Sequence, residues 1–534
     1  VLEAGTCGGL GAAASSTACI SAALASVSAT LDATIELPAG TFSGPCNFVV
    51  SSPVRLVGAG MGVSNIACTG PVNGASFSIS GSDFDASEKK RSVSIRDLSM
   101  SGGGPVAVAE TTDGPIVALA RLVLDRLSCP DTSVCGAGGG ALSLTNVAQF
   151  SLMHSVVSGA SAGAGNGGGI GFFFTAATGS ISIAEYSMYL SNVTLSGCSA
   201  SAGSGGGLYV TAPAALDLKS VFVTDVRFFG CSAAVDGGGM KVADVAATST
   251  SALMIGPRLT VEACSAGKGG GGMAMESLAV PLVLTDVTVA VCSAASEGGG
   301  LAVSHLSATL NSGGLTLTGC AISGCTTNSD GGGVYTSEVS VVLAGATSVS
   351  GCSASSGRGG GVLLSSNALV NPPVLAIASS ASVSGNMAQN GGGVAALGGR
   401  VELAPGSFIG DNTASVSGGG VLVVSSRVHF GSADGALPRV VNNAALVSGG
   451  GLFVCMLDSS CGQELCNRAA KVGDVLLMQP VSNTTGAAVG AATPFTTSTA
   501  PTSLADFSGS SAPSGPTVAS DAAATALRGR TLAA

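Results

Sequence analysis

The chain has no tryptophan, four tyrosines and three histidines in 534 residues. Aromatic side chains make up 4%, so flat rings on which sugars or bases could stack are scarce. Charged residues are 9%, where a soluble domain usually carries about a quarter. The 20 basic residues form no cluster and the net charge is −10. That excludes a nucleic-acid footprint and adhesion to an anionic membrane surface. No uncharged apolar run reaches the length that spans a bilayer. No stretch holds a helical period, which excludes the all-helical repeat folds. No charged leader followed by an apolar core precedes Val1, so the chain reads as a mature or trimmed piece of something longer.

What is present is apolar content, at 46%, and glycine, at 82 residues. Both are organised by one repeated phrase, as in Phe228-Phe-Gly-Cys-Ser-Ala-Ala-Val-Asp-Gly-Gly-Gly-Met-Lys-Val242. Its form is an apolar residue, two others, Cys or Asn, a few small residues, then three glycines and an apolar residue. Clear copies end at Gly207, Gly239, Gly272, Gly300, Gly333, Gly361, Gly393, Gly420 and Gly451; looser ones end at Gly140 and Gly169. A period of about 30 residues marks a solenoid or a repeat array. Each copy holds two or three short runs rich in Val, Leu and Ile, which read as strands. One such strand cannot bury its apolar side alone. Stacked on its counterpart about 4.8 Å away it can, and a coil around an axis supplies the long connection that parallel strands need. The glycines suit corners that require positive φ.

Four segments follow. Residues 1–32, with Cys7 and Cys19 and a helical stretch over 20–31, form an N-terminal cap. Residues 33–457 are the coils. Residues 458–482 form a second cap, in which Cys461 and Cys466 follow Cys455 closely. Residues 483–534 are Thr, Ser, Ala, Pro and Gly, a composition that cannot offset its ordering entropy, and read as a disordered tail. The sixteen cysteines suit a secreted protein, as do two glycosylation sequons, Asn192-Val-Thr194 and Asn483-Thr-Thr485. Cys46 and Cys68 read as a disulfide between neighbouring coils or as two buried thiols.

Equivalent positions of successive copies form columns that could carry chemistry. Asp225 and Asp286, with Asn192 in the same place, stand six residues before their cysteines. They form a carboxylate ladder for calcium or, preferred here, side chains capping their own turns. Asp236, Glu297 and Asp330 precede glycine triplets, where other copies carry Lys268, Arg358, Asn390 and Ser417; the mixed charge suggests a solvated corner. His154, His305 and His429 lie in different repeats without metal-ligand spacing. The triplets lack the Lys-Ser/Thr of a phosphate loop. Cys198, Cys231, Cys264, Cys292, Cys325 and Cys352 share one motif position and are expected to stack as buried thiols, rather than as disulfides or metal ligands. Asn386, Asn412 and Asn443 take that position in the last copies. These cysteines, asparagines and the final triplet glycines are assigned structural roles. No catalytic, cofactor or metal residue is assigned.

Val383-Ser-Gly-Asn386 with Gly391-Gly-Gly-Val394, and Ile409-Gly-Asp-Asn412 with Gly418-Gly-Gly-Val421, resemble the short repeats of chlamydial polymorphic outer-membrane proteins. Val440-Val-Asn-Asn443 with Gly449-Gly-Gly-Leu452 does so too. The central copies depart from that pattern by placing Cys where the family has Asn. The opening, Ile35-Glu-Leu-Pro-Ala-Gly-Thr-Phe42 with Leu56-Val-Gly-Ala-Gly60, looks like the first coils of the pectin-lyase-like superfamily. The resemblance implies an all-β fold, a single-stranded right-handed parallel β-helix of about a dozen coils with a short N-terminal helical cap. It implies display outside the cell or on its surface. The expected role is non-catalytic, as an adhesin-like module or structural scaffold, with surface glycans or neighbouring-cell proteins as partners. The alternative is a polysaccharide lyase, hydrolase or epimerase. That enzyme would need carboxylates, bases or a metal gathered on one face, and the hydrolase signatures of the superfamily are absent.

Overall fold

Short β-branched runs separated by tight corners leave the chain one economical way to bury its apolar side chains, which is to wind. The computed structural model describes residues 16–455, apart from short internal stretches of which 81–91, 175–185 and 305–313 are the longest, and residues 475–476. Cys7, His305, Cys461, Cys466, Asn483 and nearly all of the expected C-terminal cap and tail lie outside the described residues. The chain forms two compact units, Val1–Thr288 with Leu306–Asn311, and Val289–His305 with Ser312–Ala534.

The coils of the first unit build three parallel sheets, the second of which begins at Ser128–Cys129. The first sheet takes the long strands Ser92–Ser101, Ile116–Asp125, Gln149–Ser158, Tyr186–Ser196 and Leu218–Phe229. They pair in register, Leu119 beside Leu152, Leu152 beside Leu190, Leu190 beside Val223. The second sheet is only two residues wide, with Ser199–Ala200 on Ser232–Ala233 and that on Ser265–Ala266. The third stacks Ile170–Phe173, Leu208–Thr211, Met240–Ala243 and Met273–Glu276. Inward side chains are fully buried; Leu190 and Val223 are 0% exposed. Truncating one, as in Leu190→Ala, is expected to cost about 2–5 kcal/mol.

The second unit repeats the scheme with the first sheet split at its corner, as in Ser340–Ala344 and Ser348–Ser350 paired with Val374–Ile377 and Ser382–Ser384. Its third sheet runs Leu301–Ser304, Val334–Ser337, Val362–Ser365, Val394–Leu397, Val421–Val424 and Leu452–Cys455. The winding is the right-handed one that parallel crossovers follow almost without exception, and the fold is a right-handed parallel β-helix.

The N-terminal helix expected over 20–31 runs instead Thr17–Ala25. Ser16 caps it by accepting from the Ala18 amide at 3.0 Å. Cys19, Ile20 and Leu24 are buried, and the Thr17 hydroxyl donates to the Pro45 carbonyl at 2.9 Å. Cys46 and Cys68 are joined by a disulfide across neighbouring coils, with Cα atoms 5.3 Å apart. Cys19 and Cys129 each belong to a further disulfide.

Each glycine of a triplet answers a different demand. In the nine clear copies only the first takes positive φ, as at Gly205 (70°), Gly237 (67°) and Gly331 (70°). The second lies against the backbone of the following coil: a Cβ on Gly206 would strike the carbonyl oxygens of Gly238 and Ser232. The third lies over the motif's Cys or Asn. A Cβ on Gly333 would sit 3.2 Å from Cys352 Sγ, and one on Gly393 2.8 Å from Asn412 Nδ2. The corner argument from sequence therefore holds for the first glycine alone.

The exchange of Cys for Asn has a matching cause. Cys231 Sγ donates to the Leu195 carbonyl at 3.5 Å, Cys325 to that of Val289 and Cys352 to that of Ile322, both at 3.8 Å. Each acceptor is the motif's apolar residue one coil earlier. Asn386, Asn412 and Asn443 send Nδ2 to the equivalent carbonyls of Val349, Val383 and Ile409, each at 3.0 Å. Their Oδ1 atoms add a second link, accepting from the Cys352 amide at 2.9 Å, the Asn386 amide at 2.9 Å and the Asn412 amide at 3.0 Å.

Candidate functional site

Halfway along the long strands of the first unit, alternation of inward and outward side chains breaks at one extra residue. Ser92–Ser101 shows it: Val93 and Ile95 face inward before the break, Leu98 and Met100 after it. The extra residue takes the left-handed conformation, which bends the strand and points its side chain outward. One falls in each of seven coils: Asp97 (φ 62°), Arg121 (51°), His154 (50°), Asn192 (52°), Asp225 (54°), Arg258 (57°) and Asp286 (50°). Asn, Asp and His are the side chains most often found in this region; Arg enters it at a cost of roughly 1 kcal/mol.

The result is a column of polar side chains that pair along the axis. Arg121 donates to both carboxylate oxygens of Asp97, with Nη2 2.7 Å from Oδ2. Arg258 does the same to Asp225. Between these pairs, Asn192 Nδ2 lies 2.8 Å from His154 Nδ1. The guanidinium hydrogen bonds hold the Asp97 and Asp225 carboxyls below the ordinary carboxylate range, and the same bonds raise Arg121 and Arg258.

Beside this column runs an apolar one. Tyr189 is in register with Phe222, Phe222 with Met254, and Met254 with Val283. Tyr189, Met254 and Val283 are each nearly half exposed, at 47%, 49% and 46%. The rings of Tyr189 and Phe222 stack with centroids 4.5 Å apart and planes at 25°. They face each other along the axis and turn their edges outward. Ser191 and Thr224, themselves in register, separate this stripe from the ionic column. Beyond the bend, Arg227 lies over the exposed Phe229 ring at 5.1 Å and bonds Glu262 of the next coil at 2.9 Å.

The structure thus brings Asn192, Asp225 and Asp286 onto one face. At Asp225 neither sequence-based reading survives. Asp225 caps no turn of its own, because its carboxylate is taken by Arg258 one coil on. Arg258 stands between Asp225 and Asp286 and interacts electrostatically with both, so the column alternates in sign where a calcium ladder would repeat one sign. Among the described residues no group of three or more His, Cys, Asp or Glu is placed to hold a metal ion.

The corner before the triplets is likewise more than a solvated face. Asp236 Oδ1 accepts from the Gly269 amide at 3.1 Å, and Asp330 Oδ1 from the Arg358 amide at 2.8 Å, each clamping the next coil. Lys241, which sequence reasoning passed over, is almost fully buried with Nζ 2.6 Å from Glu276 and 3.3 Å from Asp236. His429 lies elsewhere, in register with Glu402. Cys198, Cys231, Cys264, Cys292, Cys325 and Cys352 are buried thiols, as is Cys320. Hydrogen bonding within each column, and burial, push the thiols of Cys198 and Cys352 up.

No protein-family model matches the chain, and no curated protein sequence matches it. Similar solved structures include the A-module of the mannuronan C-5 epimerase AlgE6 of Azotobacter vinelandii, at 13% identity over 85% of this chain and 99% of that one, with a TM-score of 0.35. The A-module of AlgE4 from the same organism matches at 15% identity over 81% and 98%, TM-score 0.34. Tailspike protein 3 of bacteriophage CBA120 matches at 13% over 86% of this chain and 59% of its own, TM-score 0.35. The repeat resemblance to chlamydial proteins has no counterpart among these three.

Sequence reasoning missed Tyr189, Phe222, Arg258 and the pairing of His154. A signal existed. Tyr189, Phe222 and Val283 each stand nine residues before a motif cysteine, and Arg258 stands six before Cys264. Alignment on the cysteines places them in columns.

Proposed function

We propose that this chain is a non-catalytic β-helix module of the cell exterior that holds a linear glycan along the outer face of its first unit. The observation that carries this reading is the in-register stripe of Tyr189, Phe222, Met254 and Val283, bordered by Ser191 and Thr224 and then by the ionic column. It offers a long ligand one apolar rung per coil, about 4.8 Å apart, with hydroxyls and fixed charges alongside. Sugars combine apolar C–H edges with hydroxyls and suit such a strip. The Cys46–Cys68 disulfide supports an oxidising compartment, and the repeats' resemblance to surface proteins supports display.

The pairing of Asp97 and Asp225 suits a binding role better than a catalytic one. A general acid or base works best with a pKa near the operating pH. Asp97 and Asp225 are driven the other way, by guanidinium groups that also occupy their oxygens.

The test uses bacterially produced full-length chain in affinity electrophoresis through gels containing neutral or acidic linear polysaccharides. Retention is expected with at least one, and the double variant Tyr189→Ala/Phe222→Ala is expected to weaken it by about tenfold, or about 1.4 kcal/mol. Equal mobility of both proteins in every gel would overturn the binding reading. New chain ends released from any polysaccharide would overturn the non-catalytic one.

A further inference from the structure

The sequon Asn192-Val193-Thr194 lies on this same face, within the strand Tyr186–Ser196. Chance alone places such triplets in a Ser/Thr-rich chain; what distinguishes this one is its position. Asn192 is exposed at the left-handed bend, Val193 between acceptor and hydroxyl is buried, and Thr194 is partly exposed. The bend is what lifts the amide clear: in an unbroken strand Asn192, two residues after the buried Leu190, would share its inward face. Asn192 Nδ2 gives one hydrogen to His154 Nδ1. An amide nitrogen carries two hydrogens, and attachment of a sugar consumes one, so this contact survives modification. The disulfides at Cys19, Cys46, Cys68 and Cys129 point to the oxidising compartment in which N-linked transfer takes place.

We infer that Asn192 is an N-glycan acceptor, and that its glycan stands over the Tyr189 end of the apolar stripe. The donor is a polyprenyl-pyrophosphate-linked oligosaccharide, used by a membrane transferase on the nascent chain. A bond forms between Asn192 Nδ2 and the anomeric carbon of the first sugar. The bond from that carbon to the pyrophosphate oxygen breaks, the lipid pyrophosphate leaves, and the amide nitrogen gives up one proton. The folded position then fixes the glycan outward, beside the exposed Tyr189. Ligands that reach the stripe from that end meet the glycan first, so the modified chain offers mainly Phe222, Met254 and Val283.

The experiment expresses the full chain in a eukaryotic cell line with N-linked transfer. The protein is treated with peptide-N-glycosidase in heavy-oxygen water and mapped by mass spectrometry. Conversion of Asn192 to a labelled aspartate in most molecules is expected. Thr194→Ala, which leaves the Asn192–His154 contact untouched, is expected to abolish the label without altering the circular dichroism spectrum. Transfer precedes folding, so the cell-retained pool is scored together with the secreted one. Unlabelled Asn192 in both pools overturns the inference. The readout concerns Asn192 alone, so it stands or falls separately from polysaccharide retention.

Discussion

Arg258 reaches back one coil and closes a two-pronged hydrogen bond on Asp225, Nε to Oδ1 and Nη2 to Oδ2, the latter 2.6 Å long. Both residues sit at left-handed bends, so the strain of those bends is spent on aligning an ion pair along the axis.

The pair sets an acid response. The folded-state pKa of Asp225 is depressed relative to an unfolded value of about 3.9. Its contribution is therefore fully present above that value and is lost as pH falls through the lower, folded one. In an NMR titration of side-chain carboxyls, Asp225 is expected to titrate below the ordinary carboxylate range, and Arg258→Gln to return it towards about 3.9. An unmoved midpoint in the variant would show that the pair does not form in solution.

Asn412 makes four side-chain links: Nδ2 to the Val383 carbonyl and to Asn443 Oδ1, and Oδ1 from the amide and the Nδ2 of Asn386. It is 0% exposed, so Asn412→Ala leaves several buried groups without partners. A loss of about 3–5 kcal/mol is expected, since each orphaned group costs about 1–3 kcal/mol. Asn412→Cys restores a donor to Val383 and is expected to lose less. Urea midpoints and hydrogen exchange at the Asn386 amide would rank the variants; equal loss in both would refute the equivalence of Cys and Asn.

Glycines that look alike in sequence are expected to differ in tolerance. Gly230 has φ 60° and open space where a Cβ would go, so Gly230→Ala should cost only about 1–2 kcal/mol. Gly206 has an ordinary φ, but its Cβ would strike two carbonyl oxygens of the next coil. Gly206→Ala is therefore expected to cost clearly more, read as a lower melting temperature. A reversed order would show that conformation costs more at these positions than the approach of the next coil.

These two glycines also show what was legible beforehand. The winding could be read because every coil restates it: an apolar run, a small corner, another apolar run. The three sheets and their parallel order follow from that period. The face of the first unit could not be read directly, because partners such as Asp225 and Arg258 lie 33 residues apart and meet only once register is known. Met254 shows the difficulty. It stands ten residues before Cys264, not nine, because its coil holds one more residue between stripe and bend; a fixed offset misses it. Lys241 escaped for another reason. It occupies the outward position of a third-sheet strand, where a charged residue reads as solvated, yet Asp236 and Glu276 enclose it.

The buried thiols give a further prediction. Cys198, Cys231, Cys264, Cys292, Cys325 and Cys352 are no more than 1% exposed. Alkylation of the native chain without reductant is expected to leave all six unlabelled, and alkylation after unfolding in urea to label all six. Protection that persists in urea and yields to reductant would reveal disulfides in the column.

The Asn and Cys ladders make the chain indifferent to its own length. In the second unit Asn386 and Asn412 occupy identical places and are followed by residues in register, Met387 and Thr413. Excising residues 387–412 joins Asn386 to Thr413 and sets it against Asn443 in the contacts Asn412 now makes. A gene can therefore lose or gain a whole coil by unequal exchange between repeats and still encode a continuous ladder, so reach can change while the rules of folding stay the same.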